Sequence, residues 1–133
     1  MKFIKETIVL GVCLLGVSAC YRVTLPVEPP VFNSQHAALP TMEHIALTAN
    51  RCWFKSGDNA FKAYRLAPEL QSYSGKPRIL LVAYNRPTDR PLLVVEAMGS
   101  PAQVAHYGPL MDSSLSSRIT DNIKRWTAGD NKC

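Results

Sequence analysis

The sequence predicts an α+β fold: a small antiparallel sheet, a three- to four-stranded meander, flanked by an N-terminal and a C-terminal helix packed on one face. Two observations predict it. The runs at 78–84 (RILLVAY) and 92–98 (LLVVEAM) are apolar and rich in strand formers, and a polar loop of hairpin length, 85–91, joins them. Before and after this pair, apolar residues recur at helical spacing. With 133 residues the chain has room for one small domain.

The first helix starts at Thr41, an N-cap type, with Leu39 and Ile45 placed as a hydrophobic staple. Met42, Ile45, Ala46, Ala49 and Cys52 then form one apolar side over three turns. Trp53 and Phe54 follow and plug one edge of the core, and 56–59 (SGDN) is a turn. A first, loosely alternating strand is expected at 60–66, ended by Pro68 and the turn residues at 72–75. Pro77 and Pro91 stand just before the two central strands, where a missing amide donor costs no ladder bond. A fourth strand is expected at 102–107, stopped by Gly108 and Pro109. The last helix is capped by Asp112 or Ser113 and carries its apolar stripe on Leu115, Ile119, Ile123 and Trp126. Lys124 and Arg125 lie in its final turns, where the helix dipole favours cations, and Gly129 ends it.

The N-terminus carries an address. Lys2 and Lys5 precede an apolar run at 8–19. A helix of that length rises about 18 Å, short of a hydrocarbon core of about 30 Å. A charged start, a short apolar stretch and small residues at its end read as a secretory signal. Val17-Ser18-Ala19-Cys20 closes the run and resembles the lipobox of bacterial lipoproteins. The resemblance implies cleavage between Ala19 and Cys20 and a lipid, including a palmitate-type acyl chain, on Cys20. Two or three chains anchor a protein stably where one does not. Tyr21, standing where an aspartate would favour the inner membrane, points to the periplasmic side of the outer membrane.

The chain then divides into a signal peptide at 1–19, a lipidated cysteine and proline-rich tether at 20–40, and a domain at 41–133. Pro26, Pro29, Pro30 and Pro40 favour extended polyproline conformation over the tether, with a reach of roughly 60 Å. Cys13 leaves with the signal and Cys20 takes lipid, so Cys52 and Cys133 remain for one disulfide in an oxidising compartment. Closing a loop of this size is worth roughly 4–5 kcal/mol as an upper figure.

Chemistry has little behind it. No P-loop, GxGxxG, HExxH or EF-hand spacing occurs, so no metal and no cofactor is expected. Of the histidines, His36 falls in the tether and His44 in the first helical turn; His106 could be drawn with Asp112 and one of Ser113, Ser114, Ser116 or Ser117 as a nucleophilic set. No nucleophile elbow supports that set, and a helix cap explains the same residues, so the chain is not read as an enzyme. Glu96, inside an apolar strand, is expected on the open sheet face, paired across strands with an arginine.

The chain carries 15 basic and 10 acidic residues, a net charge of +5. Arg65, Lys76, Arg78, Arg86 and Arg90 could form a basic patch for anionic headgroups or an acidic partner. Export excludes nucleic acid. The expected function is a non-catalytic envelope lipoprotein, membrane-bound through Cys20, whose small domain binds another envelope protein or peptidoglycan. The alternatives are a periplasmic inhibitor or immunity-type protein that inserts the loop 85–91 into an enzyme, and, third, a small hydrolase.

Overall fold

The computed structural model describes residues 24–133; the signal-like run, the lipobox and Cys20 lie outside the described residues. Five strands form one antiparallel sheet: β1 (Val31–Asn33), β2 (Tyr64–Glu69), β3 (Arg78–Ala83), β4 (Leu93–Met98) and β5 (Gln103–Tyr107), in the spatial order β1-β5-β4-β3-β2. Two helices, α1 (Ala38–Ala49) and α2 (Ser116–Thr127), pack on one face. The α+β class and the two flanking helices are as expected.

Strand alternation decides which side chains meet the helices. Ile79 and Leu81 of β3, Leu93, Val95 and Ala97 of β4 and Val104 of β5 face them and are buried. Against these lie Met42, Ile45 and Ala49 from α1 and Ile119, Ile123 and Trp126 from α2. The stripe read from the sequence on α2 is therefore its buried side, with Leu115 packed at the margin. Trp53 stacks on Phe61 at 4.8 Å between centroids and tilts against Trp126 at 5.0 Å, which makes it a core residue. Its indole N–H is satisfied inside the core by the Asn122 side-chain oxygen at 2.9 Å.

The sheet has one strand more than the meander of the sequence reading, and it comes from the segment assigned to the tether. β1 pairs antiparallel with β5, Phe32 opposite Val104. Three residues between prolines and polar neighbours give no readable alternation, so the pairing is a tertiary effect. The domain accordingly begins before the expected boundary at residue 41. Residues after β1 are pinned to the β4–β5 turn: Ser34 N–H donates to the Ala102 carbonyl, Ala102 N–H to His36, and Ala38 N–H to Gly99, at 2.8–3.0 Å.

Helix α1 starts at Ala38, three residues before the expected cap. Pro40, expected in the extended tether, lies in the first turn of α1, where the amides have no intrahelical partner and proline costs nothing. Thr41 is inside the helix, and its hydroxyl donates to Ser34 Oγ at 2.9 Å, a buried polar pair. A π-helical turn at Asn50–Lys55 continues α1 and brings both Cys52 and Trp53 inward.

The first long strand is displaced too. Residues Asn59–Phe61 form a 3-10 turn, and β2 runs from Tyr64 through Pro68 to Glu69. Tyr84 N–H donates to the Ala63 carbonyl, so the odd-numbered residues of β2 direct their backbone groups to β3 and the even-numbered ones point to the free edge. Pro68 stands at an outward position, where the ladder needs no N–H, which is why a proline is tolerated in this edge strand.

After β5 the chain reverses at Gly108, whose φ is +130°. A Cβ there would lie 2.6 Å from the Leu92 carbonyl oxygen, so the close approach of the two segments requires glycine. The expected cap at Asp112 or Ser113 is not formed: Leu115 is the N-cap of α2 and makes no side-chain cap bond, and Ser113 Oγ accepts from the Leu115 N–H in the turn ahead of the helix. Cys133 joins Cys52 in a disulfide with the Cα atoms 5.2 Å apart. The segment leading to it is held by polar groups as well: His44 Nε2 bonds the Asp130 carbonyl at 3.0 Å, Trp126 Nε1–H donates to the Lys132 carbonyl at 3.0 Å, and Arg51 bonds the Asn131 carbonyl.

Candidate functional site

A concavity follows the seam between α1 and the edge strand β2. Two depressions, each of about 510 Å³, share Asn50 and Leu66 as a common wall. One is mostly apolar, lined by Ala46 and Leu47 from α1 and Leu66, Pro68 and Leu70 from β2 and its extension, with Glu43 of α1 also in its wall. Leu47 is 72% exposed, a large apolar side chain on the outer side of α1. The other is lined by Phe54, Lys62, Tyr64, Arg65 and Tyr84, with Asp58 at its margin. The π-helical segment brings Phe54 there, the turn after it Asp58, the entry to β2 Lys62, Tyr64 and Arg65, and the end of β3 Tyr84.

Charge at the second depression is lopsided. Asp58 pairs with Arg118, and that guanidinium together with the Ala60 N–H holds its carboxyl below the usual aspartate range. The Arg65 guanidinium lies over the Tyr84 ring at 4.1 Å, a cation–π contact, and makes no ion pair among the described residues. Lys62 is exposed and makes no ion pair among the described residues.

Three of the five residues of the expected basic patch share the sheet face away from the helices. Arg65 and Arg78 alternate onto it, and Lys76 reaches it beside β3. Two of these are matched by carboxylates: Arg78 bonds Glu69 at 2.6 Å, and Lys76 lies 3.5 Å from Glu96. Arg86 and Arg90 are in the loop between β3 and β4, where Arg86 pairs with Asp89 at 3.3 Å. Of the five, Lys76, Arg78 and Arg86 are each paired with a carboxylate, and Arg65 lines the groove. Glu96 stands on the outer face as expected, opposite Arg78 in register, but its charge partner is Lys76. The Tyr107 hydroxyl beside it is pushed above its ordinary pKa by partial burial and by the Glu96 carboxylate.

The histidine set does not assemble. His106 is buried, stacked on Phe32 at 5.5 Å, with Nε2 bonded to Thr120 Oγ1 at 3.0 Å. Burial pushes its pKa down. Ser113 Oγ donates to the Leu110 carbonyl at 2.6 Å and accepts from the Leu115 N–H, so it is committed to the turn ahead of α2. Among the described residues no three His, Cys, Asp or Glu side chains gather to hold a metal ion.

Sequence reasoning missed the groove. Its walls come from three separate segments, and Phe54 was assigned to the core alongside Trp53. The available signal was the adjacent pair of aromatics: one of two consecutive helical residues must turn toward a different side. Comparison of the chain with protein-family models, with curated proteins and with solved structures finds no match to any of them.

Proposed function

We propose that this chain is an exported lipoprotein, anchored to the periplasmic side of the outer membrane through lipid on Cys20, whose domain binds an envelope protein or peptidoglycan without chemistry of its own. The observation that carries the reading is Val17-Ser18-Ala19-Cys20 at the end of a short apolar run with a basic start. The Cys52–Cys133 disulfide supports it, since such bonds persist in oxidising compartments and are rare in the cytosol. A groove with an exposed leucine and cations that make no ion pair among the described residues supports the binding role. The test is metabolic labelling with palmitate. The processed wild-type chain takes up label and fractionates with membranes, and Cys20→Ser takes up none and is released. Unlabelled processed protein, or a chain recovered reduced from cytosol, overturns the proposal.

A further inference from the structure

The seam between α1 and β2 carries a more specific reading, which rests on the domain being a binding module and is independent of the lipid. Three features coincide there. First, β2 is the terminal strand of the sheet, and the antiparallel register turns the N–H and C=O groups of Tyr64 and Leu66 away from β3, toward the groove. An edge of this kind is a template for another strand. Pro68 removes the next outward donor, so any added strand pairs over a short stretch only. Second, the apolar depression of Leu47, Leu66 and Leu70 lies at one end of that stretch and takes an aliphatic side chain. Third, Lys62 and the Tyr84-stacked Arg65 line the adjoining depression and make no ion pair with a carboxylate among the described residues.

We infer that the groove binds an extended segment of a partner protein, which adds as a short strand beside Tyr64 and Leu66, places an aliphatic side chain against Leu47, and carries a carboxylate to Lys62 and Arg65. Backbone pairing supplies the orientation, the aliphatic side chain the desolvated contact, and the charge pair the choice of partner. A glycan would use the aromatic end but would leave the leucines and the outward amides without partners. A membrane surface would meet a strand edge that needs donors and acceptors, not headgroups alone.

The experiment follows backbone amides of the isotope-labelled processed protein by NMR during titration with a short synthetic peptide that alternates Glu or Thr with Val or Leu. Binding shifts the Tyr64 and Leu66 amide signals and slows their hydrogen exchange. The exposed substitution Leu47→Glu, and a peptide with Lys in place of Glu, each weaken binding roughly tenfold, equivalent to about 1.4 kcal/mol. No response of those two amides at millimolar peptide overturns the inference, as does equal affinity for the Lys peptide. Responses confined to Val94 and Ala105 on the outer sheet face also overturn it, while leaving the binding-module reading standing. Muropeptide fragments or anionic vesicles that move Tyr64 and Leu66 when the peptide does not would assign the groove to those ligands instead. Palmitate labelling of Cys20 is read separately, so failure of the anchor and failure of the groove are distinct results.

Discussion

The two faces of the sheet are built from the same strands and held by different forces. The face under the helices is continuous apolar packing: Ile79, Leu81, Leu93 and Val95 have no exposed area, and two tryptophans close the space between the helices. Asn122 pairs with Trp53 inside it, whereas His106 Nδ1 and Thr127 Oγ1 are buried with no partner among the described residues. The outer face buries Leu80 and Val82 at its centre but surrounds them with charges and aromatics: Arg78 with Glu69, Lys76 with Glu96, Arg65 over Tyr84. Burial of apolar area stabilises in proportion to the area removed from water, whereas partly exposed ion pairs contribute about 0–1 kcal/mol each. The fold therefore rests on one face, and the other, with its free edge, can change without unfolding the protein.

That contrast is best broken where it is strongest. Replacing both Cys52 and Cys133 by serine removes the link between the end of α1 and the segment after α2, and is expected to cost roughly 4–5 kcal/mol at most by the chain-entropy estimate. Denaturant unfolding of oxidised and reduced wild type beside the double variant measures it; equal midpoints would mean that the helices hold each other without the bond. Next comes Asn122→Ala, which leaves the buried Trp53 indole N–H without an acceptor, at a cost of about 1–3 kcal/mol, read from the same curves.

A smaller, pH-dependent effect belongs to His106. Burial lowers its folded-state pKa below the ordinary 6.5, so the unfolded chain binds the proton more readily. The stabilisation is complete above pH 6.5 and is lost as pH falls below that value toward the folded pKa. Thermal melts of the wild type from neutral pH downward should show this decline, and His106→Gln should flatten it; an unchanged slope in the variant would place the effect elsewhere. The smallest change is expected on the outer face: Arg78→Ala, which breaks the pair with Glu69, should shift stability by about 1 kcal/mol or less, and less still at high salt. A loss comparable to that of Asn122→Ala would erase the contrast between the faces.

The same division explains what could be read from the sequence. Elements whose own residues carry the packing signal were legible: the stripe Leu115, Ile119, Ile123, Trp126 is the buried side of α2, and the two apolar runs are β3 and β4. Elements defined by what they lie against were not. β1 has three residues and exists because β5 offers it an edge. Pro40 reads as tether and Pro68 as a break only until the first turn of a helix and the outer side of an edge strand are known to surround them. The disulfide was legible because the export and lipidation expected of the N-terminus, with the cysteine count, left one pairing, a constraint that needs no geometry. The groove was not, because Leu47, Phe54 and Arg65 are brought together by packing rather than by spacing.

The short strand β1 has a consequence for how far the domain can roam. It takes up Val31–Asn33, and the chain from there into α1 is fastened to the β4–β5 turn. With lipid on Cys20, the leash shrinks to residues 20–30, about 34 Å when fully extended at 3.1 Å per residue, roughly the width of a domain of this size. Anchored in that way, the domain would skim the bilayer and meet only molecules that come within that layer.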